Sequence, residues 1–212
     1  MHIPRKFKQQ NIEELIALMR QHPFANVIVH GSAGLEAHHL PLLLNETDGR
    51  YYLQGHIAKA NPLWKNMVDG DNCLVVFNGP HSYISPNYYP TKAENGKAVP
   101  TWNYVAVHAK GAMRFVHDAA WIFNAIDSLT NEQERNQPKP WSITDAPRDY
   151  IDRMLPALVG INIEVSQLEG QWKLSQNQPE VNQQGVVTRL SELSEDGAQT
   201  VAKLVQQHAG VD

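Results

Sequence analysis

The sequence predicts a mainly β, α+β fold: an antiparallel barrel with helices flanking it. Three observations carry this. Short segments alternate apolar and polar residues in strand fashion, as Ile161, Ile163 and Val165 do on one face. Helical spacing is confined to segments with their own start signals, such as Asn11 with Glu14 three residues on. The G-x-G-x-x-G fingerprint of a parallel dinucleotide-binding unit is absent. Residues 1–170 are expected to form the barrel domain with inserted helices, and 171–212 a C-terminal helical extension packed on it.

Taken in order, Ile12, Leu15, Ile16 and Met19 line one face of a helix that Pro23 stops. Ala25–His30 and Leu35–Leu44 read as strands split by Gly31-Ser32-Ala33-Gly34, and Thr47-Asp48-Gly49 as a hairpin turn into Arg50–Gln54. Asn61-Pro62 opens a short helix through Val68, with Asn as cap and Pro at the first helical position. Cys73–Phe77 is a buried strand, followed by a loop from Asn78 to Pro100 rich in Pro, Asn, Gly and Tyr. Trp102–Val116 is a long strand and Asp118–Glu134 a helix; a second helix runs from Asp145 to Leu155. Val159–Leu168 is a further strand, closed by a turn at Glu169-Gly170, and the tail from Pro179 is helical twice over, broken near Ser194. That makes five or six strands.

Composition narrows the function classes. The 212 residues are 42% hydrophobic and 19% charged, which suits a chain that buries a real core. No apolar run approaches the roughly 20 residues that span a bilayer, so no membrane partner is expected. The single cysteine, Cys73, excludes an internal disulfide and suits a reducing, cytoplasmic setting. Net charge is −4, with +3 over residues 1–114 and −7 over 115–212. A duplex-binding protein presents a dense basic face to phosphates. The predicted helix Asp118–Glu134 carries no Lys or Arg, there is no helix-turn-helix, and the one basic cluster is Arg5, Lys6 and Lys8. Direct DNA contact is therefore doubtful.

Four stretches could carry chemistry. Gln54-Gly55-His56-Ile57-Ala58-Lys59-Ala60-Asn61-Pro62-Leu63-Trp64 runs from a strand end to a helix start. Free N–H groups at a helix start, the Lys59 charge and the Asn61 amide suit a phosphate, and Gly55 permits close backbone approach. In Glu36-Ala37-His38-His39-Leu40-Pro41, adjacent histidines point to opposite strand faces, so only one can look into a site. Val99-Pro100-Thr101-Trp102-Asn103-Tyr104 leads into His108 and offers an indole with amide and phenol neighbours, suited to the edge of a planar heterocycle. Trp172-Lys173-Leu174-Ser175-Gln176-Asn177 is a polar cluster. His39, His56 and His108 are the acid–base candidates, since imidazole titrates near neutrality. No metal site is expected from ten histidines without cysteine partners and without a helical H-x-x-x-H pair.

Together these stretches resemble the PaiB family, FMN-binding negative transcriptional regulators. The matching residues are His39-Leu40-Pro41; Gly55-His56 through Trp64; Val76-Phe77-Asn78-Gly79-Pro80 with Tyr83-Ile84-Ser85-Pro86; Val99 through Tyr104 with His108; Pro140-Trp141; and Lys173 through Asn177. The resemblance implies a split β-barrel of the FMN-binding type that forms a homodimer with FMN at the subunit interface. It implies that His39, Leu40 and Pro41 meet the isoalloxazine edge, and that Gly55, His56, Lys59, Ala60 and Asn61, with Trp64 beyond, form the phosphate turn. It also implies that Trp102, Asn103, Lys173 and Gln176 reach the flavin from the same or the partner subunit. Split-barrel oxidases carry a basic pair at the phosphate turn, and here His56 and Lys59 share that place. The function expected is that of an indirect negative regulator or flavin-dependent sensor. The alternatives are an FMN-dependent oxidoreductase and a haem-binding split-barrel protein.

Overall fold

The computed structural model describes residues 1–209. Among them are eight strands: β1 (Lys8–Gln9), β2 (Phe24–Gly31), β3 (Gly34–Pro41), β4 (Leu43–Thr47), β5 (Arg50–Ala58), β6 (Asn72–Ile84), β7 (Thr101–Val116) and β8 (Leu158–Lys173). They are hydrogen-bonded in the order β3-β2-β6-β7-β8-β5-β4, with β1 also beside β8. The pairs β2–β3, β2–β6, β4–β5, β5–β8 and β1–β8 are all antiparallel. The helices are α1 (Ile12–Gln21), α2 (Leu63–Asn66), α3 (Lys92–Asn95), α4 (Ala119–Glu134), α5 (Arg148–Met154), α6 (Glu180–Glu192) and α7 (Asp196–Ala209). The expected class, an antiparallel barrel sheet with flanking helices, holds. The sheet has more strands than the five or six expected, because Pro41 divides one segment and the two-residue β1 carries no periodic signal.

The chain divides into two compact units, and β6, β7 and β8 each run from one into the other. One unit contains Met19–Phe77 and His108–Leu168. Its core comes from alternate strand positions: Val27 and Val29, Leu53 and Ile57, Val75 and Phe77, and Ile161 and Ile163 are all buried. The hairpin β4–β5 closes through Asp48 and Gly49 at φ 52° and 72°. Positive φ at both central residues matches the twist of the flanking strands. Against this sheet lies α4, capped by Asp118 Oδ1, which accepts from the Trp121 N–H at 2.7 Å. The Trp121 ring covers Gly160, where a Cβ would fall 2.4 Å from the indole.

The other unit contains Met1–Leu18, Asn78–Val107 and the segment from Glu169 onward. Leu15 and Leu18 of α1, Ile84, Val105 and Val107, Leu174, and Val186, Leu190, Val201 and Val205 of the two C-terminal helices are buried there. The helices expected beyond Pro179 form as α6 and α7 with a break at Leu193–Glu195. Residues 210–212 of the expected 171–212 extension lie outside the described residues.

Several boundaries differ from expectation, and the strand expected over Arg50–Gln54 runs on to Ala58. The strand expected over Leu35–Leu44 breaks at Leu42, whose N–H goes to Pro23 O at 2.9 Å, next to a proline that cannot donate to a ladder. The strand expected to end at Phe77 continues to Ile84. Its burial shifts from odd positions (Cys73, Val75, Phe77, Gly79) to even ones (Ser82, Ile84) across Pro80-His81, the mark of a bulge. The turn expected at Glu169-Gly170 is strand. Gly170 is there for close approach, since a Cβ would fall 2.2 Å from Leu15 Cδ2. The helices expected over Pro62–Val68 and Asp145–Leu155 shrink to α2 and α5.

Candidate functional site

The turn after β5 was the leading sequence candidate, and the fold builds it from three segments of one unit. β5 runs against the β3–β4 junction: a Cβ on Gly55 would fall 2.8 Å from Pro41 O and 2.9 Å from Leu42 Cδ2. β5 is therefore packed at Gly55 against Pro41 and Leu42, and the turn of Lys59, Ala60 and Asn61 follows it. The turn's amides are partly spent on its own shape. Lys59 N–H donates to Ala157 O at 2.7 Å, Asn61 N–H to Ala58 O at 2.9 Å, and Leu63 N–H to Asn61 Oδ1 at 3.0 Å. Trp64 Nε1 donates to Lys59 O at 3.0 Å, and the Trp64 ring meets His117 edge-on at 5.3 Å.

Two consequences follow. Because α2 is a single turn, the helix dipole adds little there. What remains for an anion is the exposed Lys59 ammonium, which has no carboxylate or hydrogen-bond partner among the described residues, and the exposed Ala60 backbone beside it. His56 is half-buried on the opposite strand face from Leu53 and Ile57, and its Nδ1 has no partner. Burial lowers its pKa below the ordinary imidazole value of 6.5, so the ring is neutral at pH 7. Next to it on the same face runs a polar ladder: Asn45 Nδ2 donates to Gln54 Oε1 at 2.7 Å, and Gln54 Nε2 to Asn162 Oδ1 at 3.1 Å.

On β3, His39 is exposed with Nδ1 2.6 Å from Asn26 Oδ1, while Leu40 is buried and Pro41 half-buried. The other histidine, His38, points inward with Leu40. Its Nε2 and Glu36 Oε2, two residues back on the same face, are enclosed and unpartnered. Sequence reasoning did not single out this pair, although the alternation that buries Leu40 also turns positions 36 and 38 inward.

The remaining predicted residues, His108 excepted, lie in the other unit. Asn103 is 1% exposed, and its amide pairs with Ser175 Oγ, donating at 2.9 Å. Ser175 holds φ 66°, a left-handed conformation unusual for a residue with a side chain. It is fixed by that pair and by Gln183 Nε2, which donates to Ser175 O at 3.2 Å. Gln176 is occupied at both ends: Oε1 accepts from Leu174 N–H and Nε2 donates to Trp172 O, both at 2.7 Å. Lys173 places its ammonium on the Thr101 hydroxyl, and burial lowers its pKa. Trp102, by contrast, is half exposed and meets His81 and Tyr83. His108 is half-buried on β7. Cys73 is no nucleophile, because burial pushes its thiol up to about 12. Among the described residues no three His, Cys, Asp or Glu side chains are placed to share a metal ion.

Residues 1–167 match the family described as "Putative FMN-binding domain". The chain belongs to that family. The PaiB resemblance read from the motifs is borne out by a relative over nearly the whole chain, "Protease synthase and sporulation protein PAI 2" of Bacillus subtilis. It is 32% identical over 97% of both chains. An uncharacterized protein of Emericella nidulans is 31% identical over 82% of both. Two solved structures share the fold of this FMN-binding-domain family member. The FAD and haem binding protein of Mycobacterium smegmatis has a TM-score of 0.58 at 12% identity, covering 78% of this chain and 73% of that one. The flavocytochrome of Azotobacter vinelandii has 0.57 at 14%, covering 81% and 72%. The architecture is the split β-barrel expected. Among the described residues no helix is long and apolar enough to cross a membrane.

Proposed function

We propose that the protein binds FMN as a homodimer and acts as a flavin-dependent sensor or indirect negative regulator. The observation that carries this is the unpartnered Lys59 on the turn that follows β5, in a chain whose family is named for FMN. In this reading Lys59 and the Ala60 N–H hold the phosphate, with Gly55 letting β5 close on Pro41 and neutral His56 giving a hydrogen bond at most. Asn61 and Trp64 keep the turn's shape through their bonds to Leu63 N–H and Lys59 O. The backbone of His39-Leu40-Pro41 faces the isoalloxazine edge. Bound FMN would supply one- and two-electron redox chemistry. In its own unit Trp102 is half exposed, with its ring open to a planar ligand. Asn103, Lys173 and Gln176 support the segment behind it.

Regulation through a partner or metabolite suits the charge: the net −4 and the lack of a basic helix leave few phosphate contacts for duplex DNA. The test is a pair of titrations with FMN and riboflavin on wild type and Lys59→Ala, with the absorption spectrum recorded for bound flavin. FMN should lose affinity and riboflavin should not; equal losses would remove Lys59 from the phosphate.

A further inference from the structure

The bulge at Pro80 re-aims side chains. Upstream of it the odd positions of β6 are buried and downstream the even ones, so His81 and Tyr83 turn outward. There they meet Trp102 of β7. The His81 and Trp102 rings lie 5.7 Å apart at 50°, and the Tyr83 and Trp102 rings 6.0 Å apart at 70°. Tyr83 is 45% and Trp102 51% exposed. Bulges concentrate where a strand must present a side chain for function. An uncovered trio of rings is unusual on a protein surface, where large apolar groups normally find cover.

The platform's chemistry favours one kind of occupant. Trp and Tyr rings have negative faces and attract electron-poor or cationic groups. The cation–π contacts found elsewhere use Trp64, with Lys65, and Phe123, with Arg148. No Lys or Arg is recorded over the Trp102 face among the described residues. Its partners, a histidine and a tyrosine, can also offer polar edges to ring substituents.

We infer that His81, Tyr83 and Trp102 form a stacking site for an electron-poor planar heteroaromatic ring, the chemistry shared by an isoalloxazine and a pyridinium. If the ring is an isoalloxazine, the site rests on the flavin reading and names two residues that reading lacked. If it is a pyridinium, the site takes a nicotinamide-type co-substrate and goes beyond it. The phosphate turn plays no part in either case, because a ring can stack whether or not Lys59 holds a phosphate.

The test uses the full chain and two probes without a phosphate, riboflavin and N-methylnicotinamide, in calorimetric titrations. Wild type is compared with Trp102→Leu, Trp102→Phe and Tyr83→Leu, with sedimentation run alongside. Trp102→Leu should weaken at least one probe by about tenfold or more, the scale of losing one stacked aromatic. Trp102→Phe should stay within about threefold, since it keeps a ring. Tyr83→Leu, the second variant should Trp102→Leu misfold, should weaken the same probe. Loss confined to riboflavin assigns the ring to a flavin, and loss confined to N-methylnicotinamide to a pyridinium. The inference is overturned if wild type binds neither probe, or if neither leucine variant changes either affinity. It is also overturned if those variants turn an oligomer into a monomer while ring affinity holds, which would make the patch a contact between copies.

Discussion

The Gly55–Asn61 turn and the Lys173–Gln176 segment use similar side chains to opposite ends. Both offer a lysine and an amide within a few residues, and both match the family pattern. At the turn, Lys59 stands exposed without a partner. In the second segment every polar group named has found one inside the same unit: Lys173 on Thr101, Ser175 with Asn103 and Gln183, Gln176 on Leu174 and Trp172. Buried polar groups contribute only when satisfied, so a saturated cluster serves the fold. An unsatisfied, exposed charge costs the fold nothing and stays available to a ligand. A motif lists residue types; only their partners tell the two roles apart.

The largest effect should come from closing the space on which the turn depends. Gly55→Val puts side-chain atoms where even a Cβ lies 2.8 Å from Pro41 O. Backbone cannot yield as a side-chain tip can, so urea unfolding should show a loss near the top of the overpacking range, about 3 kcal/mol. Wild-type stability in this variant would mean that β5 and the Pro41 strand are not tightly apposed.

Next in size, Asn103→Ala should cost about 1–3 kcal/mol of folding stability, because it strands the buried Ser175 hydroxyl. Combining it with Ser175→Ala should cost less than the sum of the single changes, since the two side chains share one interaction. Strict additivity would break the claim that they act as one unit. Lys59→Ala sharpens the contrast from the other side. Stability should stay within about 0.5 kcal/mol of wild type, as for ordinary surface changes. FMN binding should weaken by about 1.5–3 kcal/mol, the worth of a hydrogen bond to a charged group.

Much of this was legible in the residues. The cap and hairpin signals placed α1 and the β4–β5 turn, because each is set by local backbone chemistry. Boundaries failed where tertiary packing decided them. Gly170 reads as a turn residue but serves as a gap for Leu15, and Asn78-Gly79-Pro80 reads as the start of a loop but stays within β6. Within the candidate site, the meeting of Gly55 with Pro41 could not be read, since it depends on which strands lie side by side. The alternation that buries Leu40 could have shown Glu36 and His38 turned inward, but the partners they face, Val29 and Val27 on β2, depend on the pairing of β3 with β2. The saturation of Asn103 depends on Ser175, 72 positions along the chain.

The smallest expected effect is a slope with pH, and it separates the neutral member of the turn from the charged one. Burial holds His56 below the ordinary value of 6.5 in the folded protein, while the unfolded chain takes up that proton near 6.5. Between the lowered folded pKa and 6.5 the unfolded state therefore binds more protons, so stability rises with pH in that window. Read downward, stability is intact above 6.5, falls as pH drops below it, and levels off once the folded ring also protonates. His22 is lowered by burial as well and contributes a slope of the same sign. His56→Asn should therefore reduce the slope between pH 7 and 5 without abolishing it, and His22→Asn should remove a separate share. Denaturant midpoints across that range provide the measurement. If His56→Asn leaves the slope unchanged, burial does not lower the ring's pKa in the folded protein.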